Sequence, residues 1–551
     1  MNITYTPRPA TTAPHGMVTC PHAIASQAGV DVLKAGGSAV DAAIAAGSTL
    51  AVIYPHMTGL GGDAFWLIYD AESPNPDHRV RYLDGGGRAA ASASAKWFHE
   101  HGHTSEIPFR GVLPATLTTP GAVASWVAAH KAYGRLPLKR CLEAATTHAR
   151  EGFEVTARLA RWIDATAPEL APHAESAAIF LPQGRPPNAG STLANPDLAR
   201  TLGALADGGH AGFYAGEVAH EMARFSAQHG GFFTAADLAA QTARWGEPLQ
   251  GSYRGVTIYE TPAPTQGFTV LEMLNLLEPL ELHRKDRLGP DHVHLMVQAK
   301  QIAYHDRDRH LADPLFADVP TQQLIERLIS KAYADERRAL IDPARALPWD
   351  RVPSHGSLRG DTVFIAAVDA QGNAAALINS LYGVFGSCVV AGRSGVVLQN
   401  RAAYFSLDPA HPNCVAPGKT PLHTLIASLA LRQDNMLWGV VGCMGADGQP
   451  QIHAQTYVAM IDHGLDIQQA VQAPRWLSGR FALGEARDTL HIEARFAGET
   501  LAELERRGHV IDRWGEWNEL AGHAHGITID ARTGVRFGGS DPRSDGMALG
   551  Y

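Results

Sequence analysis

The sequence predicts layered α and β structure. Helix patterns open the chain, apolar runs bounded by turn residues recur near both ends, and a long helix-rich stretch lies between them. With 551 residues, 45% of them hydrophobic, the chain can bury a sizeable core in two or more average domains or in one large multilayered unit.

Residues 22–35 and 38–52 read as two helices split by Gly36-Gly37, with Ser38 and Asp41 in capping-box spacing. "GLGGD" at 59–63 lacks the lysine and hydroxyl of a phosphate loop and reads as a packed turn. "AFWLIYD" and "VRYLDGG" then read as strands, because aromatic and β-branched residues cluster between turn signals. Residues 120–345 read as mainly helical, and Pro290 suits the first turn of "PDHVHLMVQAKQIAY". In "YHDRDRH", His305, Asp306, Asp308 and His310 crowd together, but Arg307 and Arg309 add cations that a metal site excludes, so a solvated, salt-bridged helix end is expected. With 27 histidines in the chain, the pairs His292/His294 and His523/His525 are expected by chance.

"PWDRVPSHGSLRGD" reads as an exposed linker. Beyond it "TVFIAAVD", "AQGN" and "AAALINSL" form a hairpin pattern, and "GVVLQN", "LIASLAL", "LWGVVGCMG", "AHGITID" and "GVRFGG" read as further strands.

A net charge of −9, from 46 basic and 55 acidic residues, leaves no basic footprint for nucleic acid or an anionic membrane. The N-terminus lacks a secretory pattern and no run is apolar enough to span a bilayer, so a cytoplasmic protein is expected. Five scattered cysteines without C-x-x-C spacing predict reduced thiols, with neither disulfides nor a zinc site.

Two stretches carry chemistry. Thr362 opens a strand directly after Gly360 and Asp361. Cutting the bond before it would give an α-amine with a pKa of about 7.7–8.0, able to act as base for the threonine's own hydroxyl. The plain alternative is an ordinary strand opener. In "GCMGADG", the small residues Gly445 and Ala446 leave backbone N–H groups open to an oxyanion, and the plain alternative is a tight strand-to-helix turn.

Taken in order, "GGSAVDAAIAAGSTLAVIYPHMTGLGGDAFWLIYD", "GGFFTAADLAA", "YRGVTIYETPAPTQG", "AYHDRDRHLADPLFADVP", "VDAQGNAAALINSLYGVFGS", "SGVVLQN", "APRW" and "GSDPRSDGMALGY" resemble the γ-glutamyltransferases (gamma-glutamyltranspeptidases) almost end to end. These are N-terminal-nucleophile hydrolases that mature by cutting themselves. The resemblance implies a four-layer αββα sandwich built from a helix-rich large subunit, residues 1–361, and a small subunit, residues 362–551. It places the cut at Asp361/Thr362, because the family threonine lies seven residues before the aspartate of "VD-x-x-GN", here Asp369. It makes Thr362 the nucleophile and base, Ser380 its supporting hydroxyl, and Gly445 and Ala446 the oxyanion pair. No metal or organic cofactor is implied. The implied partners are a small-molecule amide and the two subunits of one precursor, with a homodimer of processed heterodimers left open.

Substrate positions fall on Arg401, Tyr404, His423, Thr424 and Tyr382. Tyr404 replaces the family aspartate that takes a substrate ammonium, Arg401 stands where glutamine is usual, and His423 and Thr424 replace paired serines. A phenol cannot neutralise a buried ammonium. This pattern resembles the branch with oxamate amidohydrolases and glutaryl-type cephalosporin acylases, which implies a carboxylate-bearing acyl group other than γ-glutamyl. The alternatives are a glutathione-cleaving γ-glutamyltransferase, an uncleaved binding homologue, and a metal-dependent hydrolase using the histidine clusters.

Overall fold

A computed structural model describes residues 8–75, 78–316, 321–352, 360–480 and 488–551. Its main strands, in chain order, are β1 (Thr11–Ala13), β2 (Met17–Cys20), β3 (Asp63–Tyr69), β4 (Val80–Gly85), β5 (Arg244–Gly246), β6 (Leu249–Tyr253) and β7 (Val256–Glu260), followed by β8 (Asp361–Val368), β9 (Ala374–Tyr382), β10 (Ser428–Leu431), β11 (Leu437–Cys443), β12 (Ala524–Ile529), β13 (Arg536–Ser540) and β14 (Met547–Gly550). They form two seven-stranded sheets, in the orders β1-β13-β12-β11-β10-β7-β6 and β14-β2-β8-β9-β3-β4-β5.

The alternation along β8 shows how the layers stack. Val363, Ile365 and Ala367 join the core beneath the helices α1 (Ala23–Lys34), α2 (Ala39–Ile53) and α3 (Ala122–Tyr133). Phe364, Ala366 and Val368 face the other way and meet Leu429, Val440 and Ile527 of the first sheet. That sheet buries Ala430, Val441 and Cys443 against α4 (Gly267–Leu277), α5 (Pro290–His310) and α6 (Gln449–Ile461). A period of two on each strand thus feeds two cores from one run of sequence, and the result is the expected helix–sheet–sheet–helix order. Each large apolar side chain buried this way contributes about 1.5–3 kcal/mol.

The sequence expectation for α1 and α2 holds, including the reciprocal Ser38–Asp41 capping box. All fifteen residues of α2 are buried, which accounts for its alanine-rich faces. Pro290 begins α5 as expected.

Some expectations need correction. "GVVLQN" makes only isolated bridges, Val397 with Val390 and Leu398 with Gly61, because its backbone hydrogen bonds are divided between residues 387–391 and Gly61 and no regular ladder forms. Residues 120–345 are mainly helical as expected, with the short strands β5 to β7 lying among the helices. The "YHDRDRH" helix end is salt-bridged as expected, with Arg309 exposed, but it is only partly solvated, since Asp306 and Arg307 are buried. Residues 353–359 of the expected linker lie outside the described residues. Among the described residues no helix is long and apolar enough to cross a membrane.

Candidate active site

The β8–β9 hairpin places Thr362. Asp361 pairs with Tyr382 and Val363 with Asn379, so Thr362 alone faces Ser380 and Leu381 across a bulge. A bulge bends the strand and re-aims side chains, and here the Thr362 hydroxyl lies 3.2 Å from Ser380 Oγ. Ser380 Oγ donates to the Asp361 carbonyl at 2.5 Å and accepts from the Tyr382 amide at 2.8 Å. With its one proton on the carbonyl oxygen, Ser380 takes the Thr362 hydroxyl as a donor. Tyr382 sits at φ +78 to close this arrangement, a conformation that a non-glycine residue holds only when its surroundings enforce it.

β11 ends in a turn that meets this hairpin. Gly445 has φ +149 and Ala446 φ +47, so alanine does adopt the left-handed backbone required after the glycine. A Cβ on Gly360 would stand 2.8 Å from that of Ala446, so the chain entering β8 passes the turn with room for hydrogen only. A cavity of about 390 Å³ opens here, bounded by Gly360, Asp361, Gly445, Arg110, Trp162 and Glu519. Burial pushes the Asp361 carboxyl up to about 8, Glu519 adds to this, and Arg110 opposes it.

The expected substrate residues form a second, buried group around Tyr382. The Arg401 guanidinium lies 4.5 Å over the Tyr382 ring and donates from Nη1 to Thr424 Oγ1 at 3.1 Å. It is fully buried, and neither Nε nor Nη2 has a hydrogen-bond partner among the described residues. His423 packs edge-on to Phe65 with Nε2 3.3 Å from Asp63 Oδ2. Burial, reinforced by Arg401, holds the imidazole well below its ordinary range, so it is neutral. The pair is therefore not an ion pair, despite its spacing. Tyr404 packs against Tyr382 with the rings tilted by 59° and their centroids 5.2 Å apart, and its hydroxyl donates to Asp447 Oδ2 at 2.5 Å. The cavity reaches Asp361 and Gly445, whereas Arg401, His423 and Thr424 do not line it.

Asp63, the last residue of "GLGGD", was read only as part of a turn. It accepts from the Gly87 and Gly121 amides and from Gln399 Nε2. Burial still raises its pKa to about 7, against the opposing field of Arg401 and those donors. An acid raised above its ordinary value of 3.8 binds more protons folded than unfolded, so stability falls as pH rises from about 4 to about 7 and is level above that. Asp63→Asn is expected to flatten this slope, measured as the urea midpoint against pH.

Arg110, set aside as out of register with the family's carboxylate-binding arginine, donates to the Val384 carbonyl at 2.7 Å and to that of Gly386, and sequence reasoning gave no role to Gln266, Arg307 and Asp447 behind the oxyanion turn. The glycines flanking Asp447 were the available signal. As expected of chance spacing, His292 and His294 take different partners: His292 packs on His463, while His294 contacts His509 at 2.8 Å.

The description "Gamma-glutamyltranspeptidase" belongs to the family model that matches residues 25–551. The chain is 38% identical to the glutathione hydrolase-like YwrD proenzyme of Bacillus subtilis over 97% of its own length and 98% of the relative's. It is 38% identical to the oxamate amidohydrolase proenzyme of Klebsiella pneumoniae, covering 98% of each chain. The crystal structure of cephalosporin acylase from Bacillus halodurans superimposes with a TM-score of 0.90 at 34% identity, over 100% of this chain and 98% of that one. The two-sheet sandwich is thus an N-terminal-nucleophile hydrolase fold, and the chain is an enzyme that belongs to the gamma-glutamyltranspeptidase family.

Proposed function

We propose that this enzyme cuts itself between Asp361 and Thr362 and then hydrolyses amides whose acyl group carries a carboxylate and no α-amine. In the first step the Thr362 hydroxyl attacks the Asp361 carbonyl, the peptide C–N bond breaks as an ester forms, and water hydrolyses that ester. The Ser380 hydroxyl bonded to the carbonyl oxygen favours the attack by holding the charge that develops there. Residues 1–361 and 362–551 remain together as large and small subunits. The freed amine of Thr362 then takes the hydroxyl proton and passes it to the leaving amine, Gly445 and Ala446 amides hold the oxyanion, and water releases the acid.

The observation that carries the substrate class is the buried Arg401 with two nitrogens unpartnered. A buried cation with unsatisfied N–H groups is costly, and a carboxylate seated on Nε and Nη2 would relieve it in a bidentate geometry. Neutral His423 and Thr424 add polar contacts beside it. The Tyr404 hydroxyl is committed to Asp447, so no carboxylate stands ready for a substrate ammonium there. A panel of oxamate, glutaric monoamides and γ-glutamyl anilide tests the reading: the first two classes should exceed the anilide in kcat/KM, and equal turnover would sink it.

Ser380→Ala is expected to slow self-cleavage by about 10²-fold, in line with loss of one oxyanion donor, and Ser380→Thr to restore it. Intact mass followed over hours after synthesis reads both.

A further inference from the structure

The polar end of α5 reaches the back of the oxyanion turn. Arg307 Nη1 donates to Asp447 Oδ1 at 2.6 Å and to Gln266 Oε1 at 2.7 Å. Gln266 Nε2 in turn donates to the Ala446 carbonyl at 3.1 Å and to that of Thr424 at 2.8 Å. One turn before Arg307, the Tyr304 hydroxyl donates to the Asp447 carbonyl, and the Tyr404 hydroxyl takes the second carboxylate oxygen. Arg307, Gln266 and Asp447 are all buried. The peptide on the far side of Gly445 and Ala446 is therefore gripped at two carbonyls and one carboxylate by groups from both sides of the cut.

We infer that Arg307 is a positioning residue for the reaction: it neutralises Asp447 and, through Gln266, fixes the Ala446 peptide so that the 445 and 446 amides stay aimed at the reacting carbonyl. This rests on the reading of those amides as the oxyanion donors. Two effects of Arg307 act in one direction. Ala446 holds φ +47, a conformation that alanine leaves readily when its neighbours let go. Asp447 also places a negative charge one residue from the site where an oxyanion forms, and in a buried setting that repulsion is strong unless a cation sits on it.

The test uses the full-length, self-processed protein and p-nitrophenyl acetate, an activated ester that needs no acyl recognition. The p-nitrophenolate burst and the acetyl adduct on the 362–551 chain are recorded for wild type, Arg307→Met, Arg307→Lys, Asp447→Asn, Tyr404→Phe and the Arg307→Met/Asp447→Asn double variant. Arg307→Met should cleave itself normally yet lose about 10²-fold in maximal acylation rate, with an unchanged half-saturating ester concentration. Arg307→Lys should recover part of the rate, and the double variant should be no slower than Arg307→Met, because the two residues act as one unit. A wild-type maximal rate in cleaved Arg307→Met, a loss confined to the half-saturating concentration, or fully multiplicative losses would each overturn the inference. Should Arg307→Met fail to mature, Tyr404→Phe decides: a reduced maximal rate supports the grip on Asp447 and a wild-type rate refutes it. If wild type matures but takes no acetyl group on Thr362, the functional reading itself fails and takes this inference with it; acetylation of wild type with unchanged variants defeats the inference alone.

Discussion

Thr362→Ala is expected to give one uncut chain of 551 residues and no detectable amidase activity. Intact mass and a monoamide turnover assay read the two losses together. The same hydroxyl serves both reactions, so nothing else in the hairpin can replace it: Ser380 is the neighbouring hydroxyl, and its proton is already committed to the Asp361 carbonyl. Loss of a nucleophile in a hydrolase of this kind costs about 10⁶-fold in kcat. Thr362→Ser keeps the hydroxyl and should retain cleavage. An alanine variant that still separates into two chains at 361/362 would remove Thr362 from the mechanism. A persistently uncut wild type would favour the uncleaved binding homologue.

Arg401→Met is expected to reduce kcat/KM for a carboxylate-bearing amide by about 10²–10³-fold, the range for removing one partner of a buried charge pair. Self-cleavage should be unaffected, because Arg401 makes no contact with Asp361 or Thr362 in the hydrogen-bond network. The thermal midpoint of the free protein should rise. In the absence of substrate Arg401 is a buried cation whose Nε and Nη2 are unsatisfied, and an apolar side chain of similar length removes that penalty. Activity down and stability up is the signature of a site held in a costly state for its ligand. If both fall together, Arg401 is a structural residue rather than a carboxylate receiver.

The parts of this molecule that were legible in the sequence are those fixed over short stretches. The Ser38–Asp41 capping box and the hairpin turn at Gly372-Asn373 each lie within a few residues, and local chemistry decides them. The step from Thr362 to Asp369 came from the resemblance. The resemblance added the layer order and the pairing of Thr362 with the 445–446 turn. Long-range partners stayed hidden. Arg307 and Asp447 are 140 residues apart, and a run of charges at a helix end looks the same whether water or a buried carboxylate faces it. Asp63 likewise finds His423 and Gln399 only when the chain has folded. "GVVLQN" misled for the opposite reason: its β-branched residues fit a strand, but its backbone bonds are split between residues 387–391 and Gly61, too few on either side to make a ladder. Strands β5 to β7 were lost because three to five residues give too short a pattern to stand out within a helical region.

The order of strands carries a further consequence. In the second sheet β14 and the pair β8–β9 come from beyond residue 360, while β2, β3, β4 and β5 come from before it, and the first sheet is mixed in the same way. If the bond before Thr362 is broken as proposed, the two chains stay joined through β14–β2, β2–β8 and β9–β3 in the second sheet and β1–β13 and β10–β7 in the first, and cannot part without unzipping both sheets. The nick therefore goes unnoticed by the native molecule. It matters only after denaturation, when nothing covalent holds the fragments and renaturation becomes a bimolecular encounter that slows on dilution and competes with aggregation. On the proposed cleavage the mature enzyme would be a one-way product: its durability would be set by how slowly it opens, since the uncut chain that first folded it would no longer exist.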